Sequence, residues 1–268
     1  MNKVKIHPSL YVIVPFYICL GLGLEFFIVL MIVIFHELGH IAVSRLMGLK
    51  LKYILITPIG IKAEINDINL LSISKRLMIY IAGPALNLIT CILFRVIGYE
   101  NYILRYLSDV NFYIFLFNML PVLPLDAGNI FFNVFSYFKG VINSAKIMKR
   151  FGKLVGFIII LIGITQLVLS GYNMSALLIG IFIIKNNDNE YFLRVKEFYS
   201  YLSTFSNDYT GRYLMVKKYF IEKNTVFSEI VKYFNYDFFH EVVFSNSKNV
   251  LNQIDIAKGI FQMKSHIT

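Results

Sequence analysis

Charge is scarce in this chain of 268 residues: Asp, Glu, Lys and Arg make up 16% of it, against roughly a quarter in soluble domains. That shortage excludes an ordinary soluble globule, because the hydrophobic residues, 57% of the chain, fall in long runs rather than in short amphipathic stripes. Cysteine is nearly missing. Cys19 and Cys91 both lie inside apolar runs, so they read as small packing residues and exclude a disulfide framework. No small-x-small site separates Lys3, Lys5 and the first apolar run from the next, so no cleavable signal peptide is expected. Acidic residues number 16 against 26 basic ones, a formal charge of +10. A nucleic-acid partner would account for that excess, but the positions of the cations argue otherwise.

A bilayer core of about 30 Å takes about 20 apolar residues in a helix. The runs predict about six spans, over Leu10–Leu24, Phe26–Met47, Leu77–Gly98, Tyr106–Leu123, Leu154–Leu169 and Met174–Ile184. With alternating connections, one side collects Lys3 and Lys5, then Arg45, Lys50, Lys52, Lys62, Lys75 and Arg76, then Lys139, Lys146, Lys149, Arg150 and Lys153. The other side receives little beyond Arg105, with Arg95 near a membrane end. The positive-inside rule then places both termini in the cytoplasm. The net charge becomes a topology signal, aided by anionic lipid, and no nucleic acid is expected.

Between the second and third spans, β-branched residues over 51–65 surround Pro58 and Gly60, which predicts two strands and a turn. This is either a plain cytoplasmic hairpin or a sheet edge beside an active site. Beyond Asn186 charge returns and no further span is expected. The expected organisation is a membrane core over 1–186, a linker over 187–211 and a small α+β domain over 212–268. In that last part a helix over Val226–Phe234, capped by Asn224 or Thr225, precedes a strand at His240–Phe244. Ser245–Asn249 is a turn, and Asp255 would cap a final helix.

The chemistry gathers at His36-Glu37-Leu38-Gly39-His40. Histidines at i and i+4 share one helix face and can reach one ion, and the Glu between them can take a proton from water bound there. Three ionisable groups in a membrane helix are costly and mark function. The preceding Phe26–Phe35 is wholly apolar, unlike a soluble zincin. Catalytic zinc takes three protein ligands, and acidic candidates in the core are few. Asp126 closes a segment, Asn118 to Leu125, that Pro121 and Pro124 should keep irregular, with Gly128 permitting a tight turn. Such backbone at membrane depth lines a protein-enclosed or watery cavity. Asp126 is either the third ligand or a helix cap. His7, His240 and His266 have no partner spacing and are expected at interfaces or on the surface.

These motifs resemble the site-2 protease family of intramembrane metalloproteases. The resemblance rests on HELGH in a membrane helix, Ile81-Ala-Gly-Pro84-Ala-Leu-Asn87, and the Asn118-x-x-Pro121-x-x-Pro124-x-Asp126 segment about ninety residues on. Within it, the branch of spore-forming bacteria that activates a sporulation sigma factor is the most similar, with an early His-Pro, here His7-Pro8. The resemblance implies a six-helix core and one C-terminal CBS domain. It implies Zn2+ on His36, His40 and Asp126, with Glu37 as general base. It further implies a membrane-associated substrate, a pro-sigma factor, cut at the membrane around the forespore. Inhibitory membrane proteins, a homo-oligomer and ATP at the CBS-like domain follow by the same analogy. Asn118 could donate to the oxyanion or to substrate, or be satisfied in its own bundle. Asn87, Pro121 and Gly60 are the further substrate-binding candidates, with helix packing the rival role for Asn87. The family's usual Asp-Gly is Asp126-Ala127 here, which Ala tolerates if its φ is negative. Rival functions are a zinc transporter and a catalytically silent scaffold.

Overall fold

The computed structural model describes residues 4–256, apart from 7, 9, 20, 58–59, 66–67, 99, 171–173, 205–214, 222–226 and 245–249. His7, His266, Pro58, Asn224, Thr225 and the turn expected at Ser245–Asn249 lie outside the described residues. The chain forms two compact units, residues 1–121 with 125–130, and residues 122–124 with 131–268.

The first unit starts with strand β1 (Val4–Ile6), helix α1 (Leu10–Cys19) and helix α2 (Gly23–Leu46). Strands β2 (Leu51–Thr57) and β3 (Gly60–Ile65) follow, then a 3-10 turn (Ile68–Leu70) and helices α3 (Ile73–Ile97) and α4 (Tyr102–Asn118). β2 and β3 form the expected antiparallel hairpin, closed by Thr57 opposite Gly60. β1 adds a parallel strand that local pattern did not announce, pairing Val4, Lys5 and Ile6 with Ile54, Leu55 and Ile56. The order β1-β2-β3 leaves β3 as an edge strand, and it packs beside α2.

α3 and α4 are joined by a short connection, and Asn101 caps α4 by accepting from the backbone N–H groups of Ile103 and Leu104 at 2.9 and 3.2 Å. At their seam the Ser108 hydroxyl donates to the Cys91 carbonyl at 2.9 Å, so Cys91 sits in the packing role expected of it. Arg76, counted above among the topology cations, is fully buried in the first turn of α3 and donates to the Asn69 carbonyl at 3.4 Å. The carbonyls of the preceding 3-10 turn draw it inward.

In the second unit, the later part of helix α5 (Asp126–Lys139) leads into α6 (Val141–Ser170) and α7 (Ser175–Thr204). α6 and α7 form an antiparallel pair. Small residues permit the close approach: a Cβ on Gly156 would stand 2.7 Å from Ile184 Cγ1, and one on Gly180 would stand 2.9 Å from the Gly156 carbonyl. Asp188 pairs with Lys149 at 2.9 Å and with Lys153 at 3.3 Å. Strands β4 (Met215–Ile221), β5 (Phe238–Phe244) and β6 (Val250–Asn252) complete the unit, with a short helix α8 (Phe227–Ile230) and a 3-10 turn (Val231–Tyr233) between β4 and β5. β4 and β5 are parallel, β5 and β6 antiparallel.

The expected linker over 187–211 is helical as far as Thr204. Its apolar side chains recur at helical spacing, and Phe198, Tyr201 and Leu202 pack into one core with Met148, Phe234, Tyr236 and Val242. That shared core lies within the second compact unit. The cap of the helical turn at 253–256 is Asn252, whose side chain accepts from the N–H groups of Ile254 and Asp255 at 2.9 and 3.0 Å. Asp255 instead accepts from the Asn252 N–H at 3.3 Å.

Among the described residues three helices are long and apolar enough to cross a membrane by length and composition: Gly23–Leu46, Ile73–Ile97 and Val141–Leu169. α2, with 24 residues, is about 36 Å long at 1.5 Å per residue, which exceeds a hydrocarbon core. α4, with 17 residues, reaches only about 26 Å on the same measure.

Candidate metal centre

The HELGH segment lies in the second half of α2, and its helical path puts His36 and His40 one turn apart on a buried face. Asp126 joins them as the first residue of α5. Its Oδ2 is 3.0 Å from His36 Nε2 and 3.4 Å from His40 Nε2, and the two imidazole nitrogens are 3.1 Å apart. Donors around a tetrahedral zinc with bonds of about 2.0–2.2 Å stand about 3.3 Å from one another. The trio thus has nearly the edge lengths of one face of such a shell, with a donor set of two imidazoles and a carboxylate. His36, His40 and Asp126 could hold a metal ion.

The surroundings select the needed tautomer. His40 Nδ1 donates to the Ile79 carbonyl of α3 at 2.7 Å, which leaves Nε2 with its lone pair directed at His36 and Asp126. A ring nitrogen fixed from behind in this way is the usual support of a metal-ligating histidine. The floor of the site is the backbone of Gly83. A Cβ there would come within 2.6 Å of His36 Nε2 and closer still to His40, so any side chain would occupy the space between the imidazoles. Gly39 opposite it would bring a Cβ within 2.9 Å of the Ala82 carbonyl, so two glycines set the closeness of α2 and α3 where the site lies.

Asp126 is the first residue of α5, and its carboxylate faces the two histidines. Asn129 N–H donates to the Leu125 carbonyl at 2.9 Å, so helix begins directly after the irregular stretch at 119–125. Gly128 is therefore buried inside α5 and turns no corner, contrary to the expectation. Ala127 is 3% exposed and takes helical backbone with negative φ, so its side chain is accommodated.

Glu37 is half-buried on the same turn as the histidines. Asn118 ends α4 and its amide donates to its own helix, to the Ile114 carbonyl at 3.0 Å. Asn87 lies one turn beyond Gly83 on α3. It is fully buried, and neither its amide nitrogen nor its oxygen has a hydrogen-bond partner among the described residues. Pro121 is half-buried in the irregular stretch, and Gly60 opens β3. His240 departs from the expected surface role. It is 0% exposed on the inward face of β5, stacked on Phe234 with ring centroids 4.4 Å apart.

Gly83 and the Ile79 carbonyl were missed as functional groups in the sequence. The one signal for them was the Ala-Gly-Pro triplet, which carries no chemistry until α3 is laid on α2.

Residues 25–102 match Peptidase family M50. A zinc metalloprotease of Methanocaldococcus jannaschii is 31% identical over 172 residues, 62% of this chain and 48% of that protein. Stage IV sporulation protein FB of Bacillus subtilis is 28% identical over 138 residues, 50% of this chain and 48% of that protein. The chain thus spans about half the length of these relatives. Among solved structures, the site-2 protease from Methanocaldococcus jannaschii is similar with a TM-score of 0.57 and 28% identity, over 70% of this chain and 90% of that one.

Proposed function

We propose that this chain, whose helical core is of the M50, site-2 protease type, is an intramembrane zinc metalloendopeptidase acting on a membrane-associated precursor. The observation that carries the reading is the convergence of His36, His40 and Asp126 on one point, with Gly83 as its floor. A zinc ion there would supply Lewis acidity, polarising the scissile carbonyl and lowering the pKa of its water toward neutrality. Glu37 takes the proton from the attacking water at its carboxylate and returns it to the leaving amine. Asn118, released from the Ile114 carbonyl, donates to the oxyanion. Asn87, an amide with both ends unpaired in an apolar helix, matches the N–H and C=O of an unwound substrate backbone. β3, opened by Gly60 and the edge strand of its sheet among the described residues, accepts that backbone by strand addition, and Pro121 borders its path.

The same reading takes the core as six spans with both termini in the cytoplasm. It takes the substrate as a pro-sigma factor at the membrane around a forespore, on the strength of the resemblance to a sporulation protein. Inhibitory membrane proteins and a homo-oligomer would regulate it. The parallel β4–β5 pair bridged by α8 supports a CBS-like domain over 212–268, with ATP as its ligand.

Co-expression with membrane-tethered pro-sigma precursors tests the reading. Glu37→Gln should reduce cleavage by on the order of a thousandfold while the purified protein keeps wild-type zinc. Cleavage that persists in Glu37→Gln would sink the mechanism. Cleavage indifferent to added ATP in the same assay would remove the nucleotide from it.

A further inference from the structure

The second unit holds a cleft of about 430 Å³ lined by Phe138, Lys139, Asn143, Lys146, Ile147, Arg150 and Tyr233. Its walls are the end of α5, the first turns of α6 and the 3-10 turn after α8. The corner between the helices is fixed by Gly140, whose φ of +84° is a conformation side chains rarely adopt. The Val141 N–H donates to the Phe234 carbonyl at 2.9 Å, which holds the third wall against the other two.

The cations of α6 divide by face. Lys149 and Lys153 share an ion pair with Asp188 at 2.9 and 3.3 Å. Asn143, Lys146, Ile147 and Arg150 follow the i, i+3, i+4, i+7 row of one face, and that face lines the cleft. Among the described residues no carboxylate lies within ion-pair distance of Lys139, Lys146 or Arg150. All three cations are exposed, so the cleft presents an unpaired positive lining that an anion from outside can meet.

Its position says which anion. α6 is uncharged from Leu154 to Leu169 and is one of the three apolar helices. Arg150 precedes Leu154 by four residues, about 6 Å of helix, and a headgroup layer is about 5–7 Å thick per leaflet. Lys146 stands one turn farther out, within reach of its flexible stem. Below the cleft the same face continues as an exposed apolar ridge, with Leu154 56%, Ile158 47% and Leu161 48% exposed. Acyl chains would lie along that ridge while a phosphate meets the cations; inorganic phosphate would use only the upper part.

We propose that this cleft is a binding site for the phosphate headgroup of an anionic phospholipid. It is independent of the protease reading and of the metal centre.

The test uses the full chain in a neutral detergent, with its thermal midpoint followed as short-chain phosphatidylglycerol, short-chain phosphatidylcholine or inorganic phosphate is added. Phosphatidylglycerol should raise the midpoint, and the other two should raise it far less. The double variant Lys146→Gln with Arg150→Gln should need roughly tenfold more phosphatidylglycerol or beyond, each interfacial cation contributing several-fold. Lys149→Gln, the same charge change on the paired face, should respond as wild type does. The charge-keeping pair Lys146→Arg with Arg150→Lys should retain the response, which separates lost binding from a damaged fold. Equal response to phosphatidylcholine, or equal loss in Lys149→Gln, would overturn the site. An equal response to inorganic phosphate would overturn the lipid as its ligand.

Discussion

Among the described residues three buried histidines divide between the two units, His36 and His40 in α2 and His240 on β5, and their neighbours are of different kinds. Around the first two are a carboxylate, a carbonyl that accepts a hydrogen bond from the Nδ1–H of His40, and a glycine in place of any side chain. Around His240 are the Phe234 face, the Asn235 N–H donating to its Nε2 at 2.9 Å, and the Gln253 side chain accepting from its backbone N–H at 3.1 Å. The first environment leaves ring lone pairs gathered at a shared point, and the second uses up the one lone pair within the fold. Burial pushes the pKa of His240 down to about 3, with Lys217 adding to the effect. Burial alone therefore says little about a histidine's use; what matters is whether its neighbours consume the lone pair or leave it free.

The comparison breaks most sharply at Gly83. Gly83→Ala sets a methyl between the imidazoles, so zinc content and cleavage should both fall by more than about a hundredfold, given that even outer-shell changes cost 10–100-fold. Metal analysis of the purified, still membrane-inserted variant checks it, and near-stoichiometric zinc would show that the floor can yield.

Acid should act on the other histidine. Unfolded His240 titrates near 6.5, and in the fold it titrates at about 3. Above pH 6.5 neither state is protonated and the difference contributes no pH dependence. As pH falls from 6.5 toward 3, the unfolded state gains a proton the folded one refuses, so stability is lost across that window, about 2 kcal/mol by pH 5. Amide exchange on β5, corrected for intrinsic rates, should accelerate between pH 7 and 5, and His240→Gln should remove most of that acceleration.

The smallest effect is expected at Ala127→Gly, which restores the family's usual residue beside Asp126. A glycine inside α5 costs about 0.5–1 kcal/mol of stability and should leave zinc affinity unchanged. A rise in affinity would mean that Ala127 distorts the Asp126 ligand.

The candidate ligand pair and candidate base are legible because HELGH is a local pattern: helix periodicity alone places His36 and His40 together. Asp126 required an argument from ligand number, while its place at the head of α5 is signalled by the prolines that keep the chain irregular up to residue 124. Gly83 was illegible as part of the site because its role exists only where two helices cross. β1 escaped for a similar reason, since Val4–Ile6 gains its partner fifty residues away. The polar half of α7 is written more faintly. Tyr191, Val195, Phe198 and Leu202 recur at helical spacing, and the fall in hydropathy drew attention away from that period.

The continuity of α7 has a mechanical consequence. Its 30 residues make a rod of about 45 Å, set against α6 at Gly180 and ending among Phe198, Tyr201 and Leu202 in the core that carries the β4–β6 sheet. A flexible tether in that place would absorb any push delivered to the sheet. A rod instead converts it into rotation or sliding against α6, so an event at the sheet is felt at the apolar end of the helix with no part of the chain unfolding in between.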